Sequence, residues 1–140
     1  MLVAGKGSAE DIQKILDLGP DVNKPDKYGR TALHFACRSG NMETFSKLVD
    51  LEDMEYDVFT KAGVTPLMMA VESRNINLIA ECLRSNFNPF LQNGLNQTAL
   101  DYARFGHEKI DNDIAVILEK AQAQWREQVE AEEELTEGQV

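Results

Sequence analysis

The chain has 140 residues, of which 43% are hydrophobic and 27% are charged, a composition typical of one globular domain. Its formal net charge of −10 argues against nucleic acid and anionic membrane surfaces as partners, because binding phosphate requires a basic face. No apolar run approaches the length of a transmembrane helix, and the N-terminal apolar stretch is too short for a secretory signal, so we expect no membrane insertion.

Residues 1–25 resemble a helical unit that lacks its front. A helix is predicted from about Ala9 to Leu18, because Ile12 and Leu16 fall on one face. Two explanations for the missing front stay open: the natural chain is longer, or this unit is a minimal cap.

Residues 26–58 form the most regular unit, with helices predicted at about Ala32 to Ser39 and Met42 to Leu51. The first of these helices follows Thr31, whose hydroxyl can accept a hydrogen bond from an early backbone N–H and so cap the helix. We therefore expect a pair of short helices that begins at a threonine.

The same pattern returns twice, with Thr65 34 residues after Thr31 and Thr98 a further 33 residues on. Residues 59–92 and 93–125 are the two units that contain these threonines. Their helices are predicted at about Pro66 to Ser73, Ile76 to Ser85, Ala99 to Phe105 and Asp111 to Gln124.

Residues 126–140 contain one basic and six acidic residues, so this tail carries a charge of −5. We expect it to begin as an extension of the last helix and to end as a disordered segment, because it has too little apolar surface to offset the entropy of ordering.

A period near 33 residues with a Thr-Pro-Leu-His-like helix start resembles the ankyrin repeat. The resemblance implies an all-α solenoid of stacked helix-turn-helix units, with short β-hairpin or loop connections and a C-terminal helical extension. It divides residues 1–125 into four repeats, of which the first is incomplete. In this family the histidine at the position of His34 usually bonds nearby backbone groups and ties adjacent repeats, whereas Met68 and Asp101 replace it later in the chain.

We find no constellation of residues that indicates an enzyme, and we predict no catalytic residue, no metal ligand and no cofactor. His34 belongs to the repeat pattern, and His107 lies in a polar segment before the last helix. Cys37 and Cys82 fall inside helical patterns without a metal or redox spacing, so we interpret them as small buried side chains. They favour a reducing compartment, the cytoplasm or alternatively the nucleus.

The resemblance places the hairpin tips and the exposed side of each first helix on one concave face, and repeat solenoids bind partners on such faces. Five residues of this set are basic and one is acidic, and several are aromatic or aliphatic without being needed for the core, which favours an acidic or amphipathic protein segment as partner. The alternative is that single exposed apolar residues are ordinary surface. The predicted concave-face residues are Lys27, Tyr28, Arg30, Arg38, Ser39, Lys61, Val64, Glu72, Leu95, Arg104 and Phe105.

Trp125 and Val129 offer a second candidate surface on the helical extension. Trp125 either packs on the end of the last helix pair or serves as an anchor for a partner.

The sequence thus favours a non-enzymatic protein–protein interaction module: an adaptor, inhibitor, assembly chaperone or scaffold. Two alternatives stay open, a structural accessory subunit of a large complex and a regulatory domain of a longer protein.

Overall fold

The structure, a computed structural model, describes residues 23–51, 54–106 and 108–138. The described part is helical and contains no strand, which confirms the all-α class. His107 and the helix predicted at about Ala9 to Leu18 lie outside the described residues. Its helices are α1 (Ala32–Ser39), α2 (Met42–Val49), α3 (Pro66–Ser73), α4 (Ile76–Arg84), α5 (Ala99–Arg104) and α6 (Lys109–Gly138).

Side-chain caps explain why the helices begin where they do. The hydroxyls of Thr65 and Thr98 each accept a hydrogen bond of 3.3 Å from the backbone N–H three residues later. The side-chain oxygens of Asn41 and Asn75 do the same for α2 and α4, at 3.1 and 3.2 Å. Each cap satisfies a donor that has no partner within its helix. Thr65 and Thr98 thus cap their helices as predicted, and Thr31 stands at the same N-cap position before α1.

The helices stack in pairs that share one core. α1 packs on α3 and α3 on α5, while α2, α4 and α6 each pack on the first helix of their own pair. The repeated leucines Leu33, Leu67 and Leu100 are 0%, 2% and 6% exposed, so all three face the core. The core therefore runs continuously from pair to pair, as in a solenoid.

His34 ties the first described pair to the next one. Its Nδ1 accepts a hydrogen bond of 3.0 Å from the backbone N–H of Thr31, which requires the proton to sit on Nε2. Nε2 then donates to the carbonyl oxygen of Val64 at 2.9 Å. This is the tie between adjacent repeats that the resemblance implied.

We expect acid to weaken the fold through His34. Burial lowers the pKa of this imidazole, although its bond to Val64 acts in the opposite direction. The unfolded chain has the ordinary histidine pKa of about 6.5 and so binds more protons than the folded chain below that pH. The contribution of His34 to the free energy of unfolding should therefore be fully present above about pH 6.5 and be lost progressively as the pH falls below that value.

The measurement is urea unfolding across that window for the natural chain and for His34→Gln, which keeps a donor and an acceptor but cannot titrate. The stability difference between the two should shrink as the pH falls. A difference that stays constant with pH would contradict the assignment of a neutral, buried His34.

The pairs are connected by tight hairpin-like turns rather than by strands. The turns at residues 26–30, 60–64 and 93–97 each close with a backbone hydrogen bond of 2.8–2.9 Å between their ends. Neighbouring turns also bond to each other, from Lys61 N–H to the Tyr28 carbonyl at 2.9 Å and from Gly94 N–H to the Ala62 carbonyl at 3.0 Å. At Gly63, φ is 82° and a Cβ would lie 2.7 Å from the Gly94 nitrogen, so only glycine fits there.

The C-terminal helix differs from its prediction at both ends. α6 begins at Lys109, inside the segment that we expected to be a loop, because the Asp111 carboxylate accepts a 3.1 Å hydrogen bond from the Glu108 N–H and caps it. Its helical backbone continues to Gly138, so the helical extension that we expected at the start of the tail occupies most of residues 126–140.

Candidate functional site

A hollow of about 390 Å³ lies between the first two described hairpin turns and the exposed sides of α1 and α3. We call it the hairpin hollow. Its floor is apolar and its rim carries three cationic side chains and one carboxylate. The residues that line it are Tyr28, Arg30, Arg38, Thr60, Lys61, Ala62, Val64, Met69 and Glu72.

One side of the hairpin hollow is held rigid by the turn that carries Tyr28 and Arg30. Asp26 accepts hydrogen bonds of 2.9 Å from the backbone N–H groups of both residues and from Nε of Arg30. Burial alone would raise the pKa of Asp26, but these bonds and the Arg30 charge lower it below its usual value. The carboxylate therefore stays ionised and keeps the turn and the guanidinium in place.

The two arginines of the hollow lie on aromatic rings. The Arg30 guanidinium lies 4.8 Å from the ring centre of Tyr28 and 4.9 Å from that of Phe35, and the Arg38 guanidinium lies 5.0 Å from Phe35. Phe35 itself is only 2% exposed. Stacking on a ring favours a planar cation and leaves its edge able to donate hydrogen bonds to a carboxylate.

Lys61 and Glu72 complete the rim from the second turn and from α3. Lys61 is exposed, and its backbone is fixed by the bond to Tyr28. Glu72 is exposed as a residue, yet its carboxyl is partly enclosed and this burial raises its pKa. The single acid of the hairpin hollow is thus neutralised more readily than an ordinary glutamate.

The structure brings together six of the eleven predicted concave-face residues. The other five lie outside the hairpin hollow. Lys27 lies over the outer face of Tyr28, with Nζ 5.0 Å from the ring centre, and the Ser39 hydroxyl bonds the carbonyl of Ala36 at 3.0 Å. The six that line the hollow are Tyr28, Arg30, Arg38, Lys61, Val64 and Glu72.

The remaining three residues belong to the last repeat, in the turn before α5 and at the end of that helix. Arg104 donates to Glu119 of α6 at 2.9 Å, so its charge is directed at the long helix. Leu95 and Phe105 are 76% and 60% exposed. They present apolar surface beyond the hairpin hollow rather than within it.

Three residues that line the hollow, Thr60, Ala62 and Met69, are not among the predicted concave-face residues. Thr60 is the first residue of the second turn, the position that Asp26 holds in the first turn, and this register could have identified it. Met69 packs partly against the core and also lines the hollow.

The second candidate surface lies along α6. Trp125 is half-buried and borders two adjoining hollows of about 290 and 430 Å³. The first is bounded by Leu83, Phe87 and Pro89 on the side of α4, and the second contains Phe90 and Val129. We call the two together the α6 furrow. Trp125 therefore packs at the edge of the last pair and also stands open to a groove.

Other chemistry is limited in the described part of the chain. Among those residues, no group of three or more histidine, cysteine or acidic side chains is placed to hold a metal ion. None of the helices there is both long and apolar enough to span a membrane. Cys37 and Cys82 are free and fully buried, as predicted, and burial together with a contact between the two thiols raises the pKa of Cys37.

Comparison with known proteins places the repeats in a wider group. The family described as Ankyrin repeats (3 copies) matches residues 1–93. An ankyrin repeat-containing protein of Schizosaccharomyces pombe is 33% identical over 98 residues, which are 67% of this chain and 42% of that protein. Rabankyrin-5 of Homo sapiens is 34% identical over 82 residues, covering 59% of this chain and 7% of its own length.

A third similar protein is serine/threonine-protein kinase 12 of Arabidopsis thaliana, 35% identical over 79 residues that cover 56% of this chain and 17% of the kinase. This chain therefore spans less than half the length of each of these relatives.

Proposed function

This chain belongs to the ankyrin repeat family, whose members generally bind other proteins, and on that premise we propose that it is a non-enzymatic interaction module that binds a protein segment at the hairpin hollow. Its role would be that of an adaptor, inhibitor, assembly chaperone or scaffold. The observation that carries the proposal is the hollow itself, where an apolar floor and fixed cations meet on adjacent repeats.

The chemistry of the hollow favours a particular ligand. Val64 and Met69 offer apolar contact, while Arg38 and Lys61 offer positive charge on a chain whose net charge is −10. A segment with one aliphatic or aromatic side chain beside Asp or Glu would satisfy both features. Arg and aromatic residues of this kind supply much of the binding energy at protein interfaces.

We predict that peptides selected from a random library for binding to the intact chain combine acidic with apolar residues, and that their affinity depends on Lys61. Lys61→Glu should weaken such a peptide by roughly tenfold or more, because it replaces an attraction by a repulsion at the rim. The measurement is calorimetric titration of a selected peptide into each variant.

The matched control is Lys47→Glu, since Lys47 is equally a surface lysine but lies on α2, outside the hairpin hollow, with its side chain 76% exposed. The affinity of Lys47→Glu for the peptide should stay within about twofold of that of the natural chain, because Lys47 belongs to an exposed ion pair with Glu43 that is remote from the hollow. Equal losses in both variants would show that only the overall charge matters, and a selection that yields basic peptides would refute the proposed ligand.

A second candidate is a regulatory or accessory role within a larger protein or complex. It is supported by the relatives, in which the matched repeats are a small part of a much longer chain, one of them a protein kinase. In that case the occupant of the hairpin hollow would be a segment of the same assembly.

We further propose a reducing location, the cytoplasm with the nucleus as the alternative. It is supported by two free thiols that contact each other in the core without a disulfide.

A further inference from the structure

The last part of α6 carries an apolar stripe at the edge of the helix stack. Among the α6 side chains that the structure describes, up to Glu133, Leu118 is the last that is fully buried, and those from Arg126 to Glu133 are all exposed. Trp125 and Val129 are four residues apart and so lie on the same face of α6. Together with Phe90 they form the apolar part of the α6 furrow.

The furrow has the length of a short helix. Its lining runs along α6 from Ala121 to Glu133, which is about 18 Å at the rise of an α-helix. The two hollows adjoin at Trp125, so the groove continues past that ring. A partner helix of about three turns would cover it.

The segment of α6 that borders the second hollow of the furrow is acidic. Residues 126–133 hold four glutamates and one arginine, and Glu130 and Glu133 line the furrow directly. Two cations also line the furrow. Arg84 is paired with Glu81 at 2.8 Å, and the Arg126 guanidinium lies 5.0 Å from the centre of the Phe90 ring, against the apolar floor. The groove thus combines apolar side chains with an acidic border, the reverse of the hairpin hollow.

We propose that the α6 furrow is a second docking site, and that its occupant is a basic amphipathic helix of another protein. The apolar face of that helix packs on Trp125, Val129 and Phe90, and its lysines or arginines lie opposite Glu130 and Glu133. Helix-in-groove binding uses this arrangement of apolar anchors with charged borders. The chain would then join an acidic ligand at one face to a basic ligand at another.

Charge selects this occupant over the other candidates. A second copy of the chain laid on the furrow would bring a second acidic extension against Glu130 and Glu133, and like charges in contact oppose association. An anionic membrane surface is disfavoured for the same reason.

The test uses the intact chain and its own tryptophan, since Trp125 is the only one in the sequence. The probe is a synthetic peptide of about 14 residues with leucines at i, i+3, i+4 and i+7 and lysines elsewhere. Its binding should shift the Trp125 emission to shorter wavelength in a saturable way. A scrambled peptide of the same composition should bind at least about tenfold more weakly, because it has the charge without the apolar face.

Two variants locate the site while keeping the reporter. Val129→Ser should weaken peptide binding about five- to tenfold, and Glu130→Lys with Glu133→Lys should weaken it further and flatten its dependence on salt. The matched control is Val116→Ser, because Val116 is an exposed valine of α6 that does not line the furrow. It should bind as the natural chain does.

Several outcomes would overturn the proposal. They are equal binding of the two peptides, an equal effect of the two serine variants, and the absence of any emission shift. Self-association in sedimentation that disappears in Val129→Ser would instead make a second copy the occupant. None of these results involves the hairpin hollow, so the inference and the proposed function can fail separately.

Discussion

Replacing Phe87 by alanine should lower the free energy of unfolding by about 3–5 kcal/mol, the usual loss for a buried phenylalanine. Phe87 is 2% exposed and lies between neighbouring repeats. Its ring centre lies 6.0 Å from that of Phe45 and 4.9 Å from that of Tyr56, which is stacked on it. The change would open a cavity where α2 meets the segment that follows α4, and repeats that contact only their neighbours have little else to compensate.

The measurement is urea unfolding followed by circular dichroism, with Phe105→Ala as the matched control. Phe105 is the same residue type but is 60% exposed, so its loss should change stability by less than about 0.5 kcal/mol. Similar losses in the two variants would mean that the Phe87 cluster is not part of the core.

Replacing His34 by alanine should lower the free energy of unfolding by about 2–5 kcal/mol, because it leaves two backbone groups inside the fold without a hydrogen-bond partner. The N–H of Thr31 and the carbonyl of Val64 both depend on the imidazole, which is itself 0% exposed. The loss of stability should be greatest at the junction between the two repeats, because Nε2 of His34 bonds the carbonyl of Val64 in the next repeat.

His34→Gln is the informative companion variant, since its amide offers an acceptor for Thr31 and a donor for Val64. We expect it to recover at least about half of the loss caused by alanine. Equal destabilisation of the two variants, measured at pH 7.5 where His34 is neutral, would attribute the effect to packed volume rather than to hydrogen bonds.

The helix starts could be predicted from the sequence because their causes are local. A threonine cap, with Pro66 at the first helical position after Thr65, fixes where a helix begins whatever surrounds it. Helix ends that are set by a residue in the left-handed conformation could also be predicted from the sequence. Gly40 has a φ of 71° and Asn86 a φ of 70°. The family resemblance then supplied the stacking of the pairs.

What the sequence did not reveal depends on contacts between distant residues. Arg74 ends α3 at a φ of 59° without being glycine, and its Nε lies 3.1 Å from the buried carboxylate of Asp111 at the start of α6. The same carboxylate caps α6 and so turns a polar segment into helix. No local sequence pattern predicts an ion pair between two residues that are 37 positions apart.

The candidate site was predicted only in part for a similar reason. Repeat register placed Tyr28, Lys61 and Val64 on one face, and the structure adds that they share a single hollow. Register could not indicate that Arg104 is directed at Glu119, because that pairing depends on the path of α6 beyond the last repeat.

The central claim is that the hairpin hollow binds a protein segment, and affinity capture from an extract of the source cells tests it most directly. The baits are the intact chain, Tyr28→Ala with Lys61→Glu, and the control Leu51→Ala with Lys47→Glu, which changes the same classes of exposed residue elsewhere. All three must first show equal unfolding midpoints. We predict a partner that the intact chain and the control capture and the hollow variant loses. A partner captured equally by all three would contradict the claim and move the binding site away from the hairpin hollow.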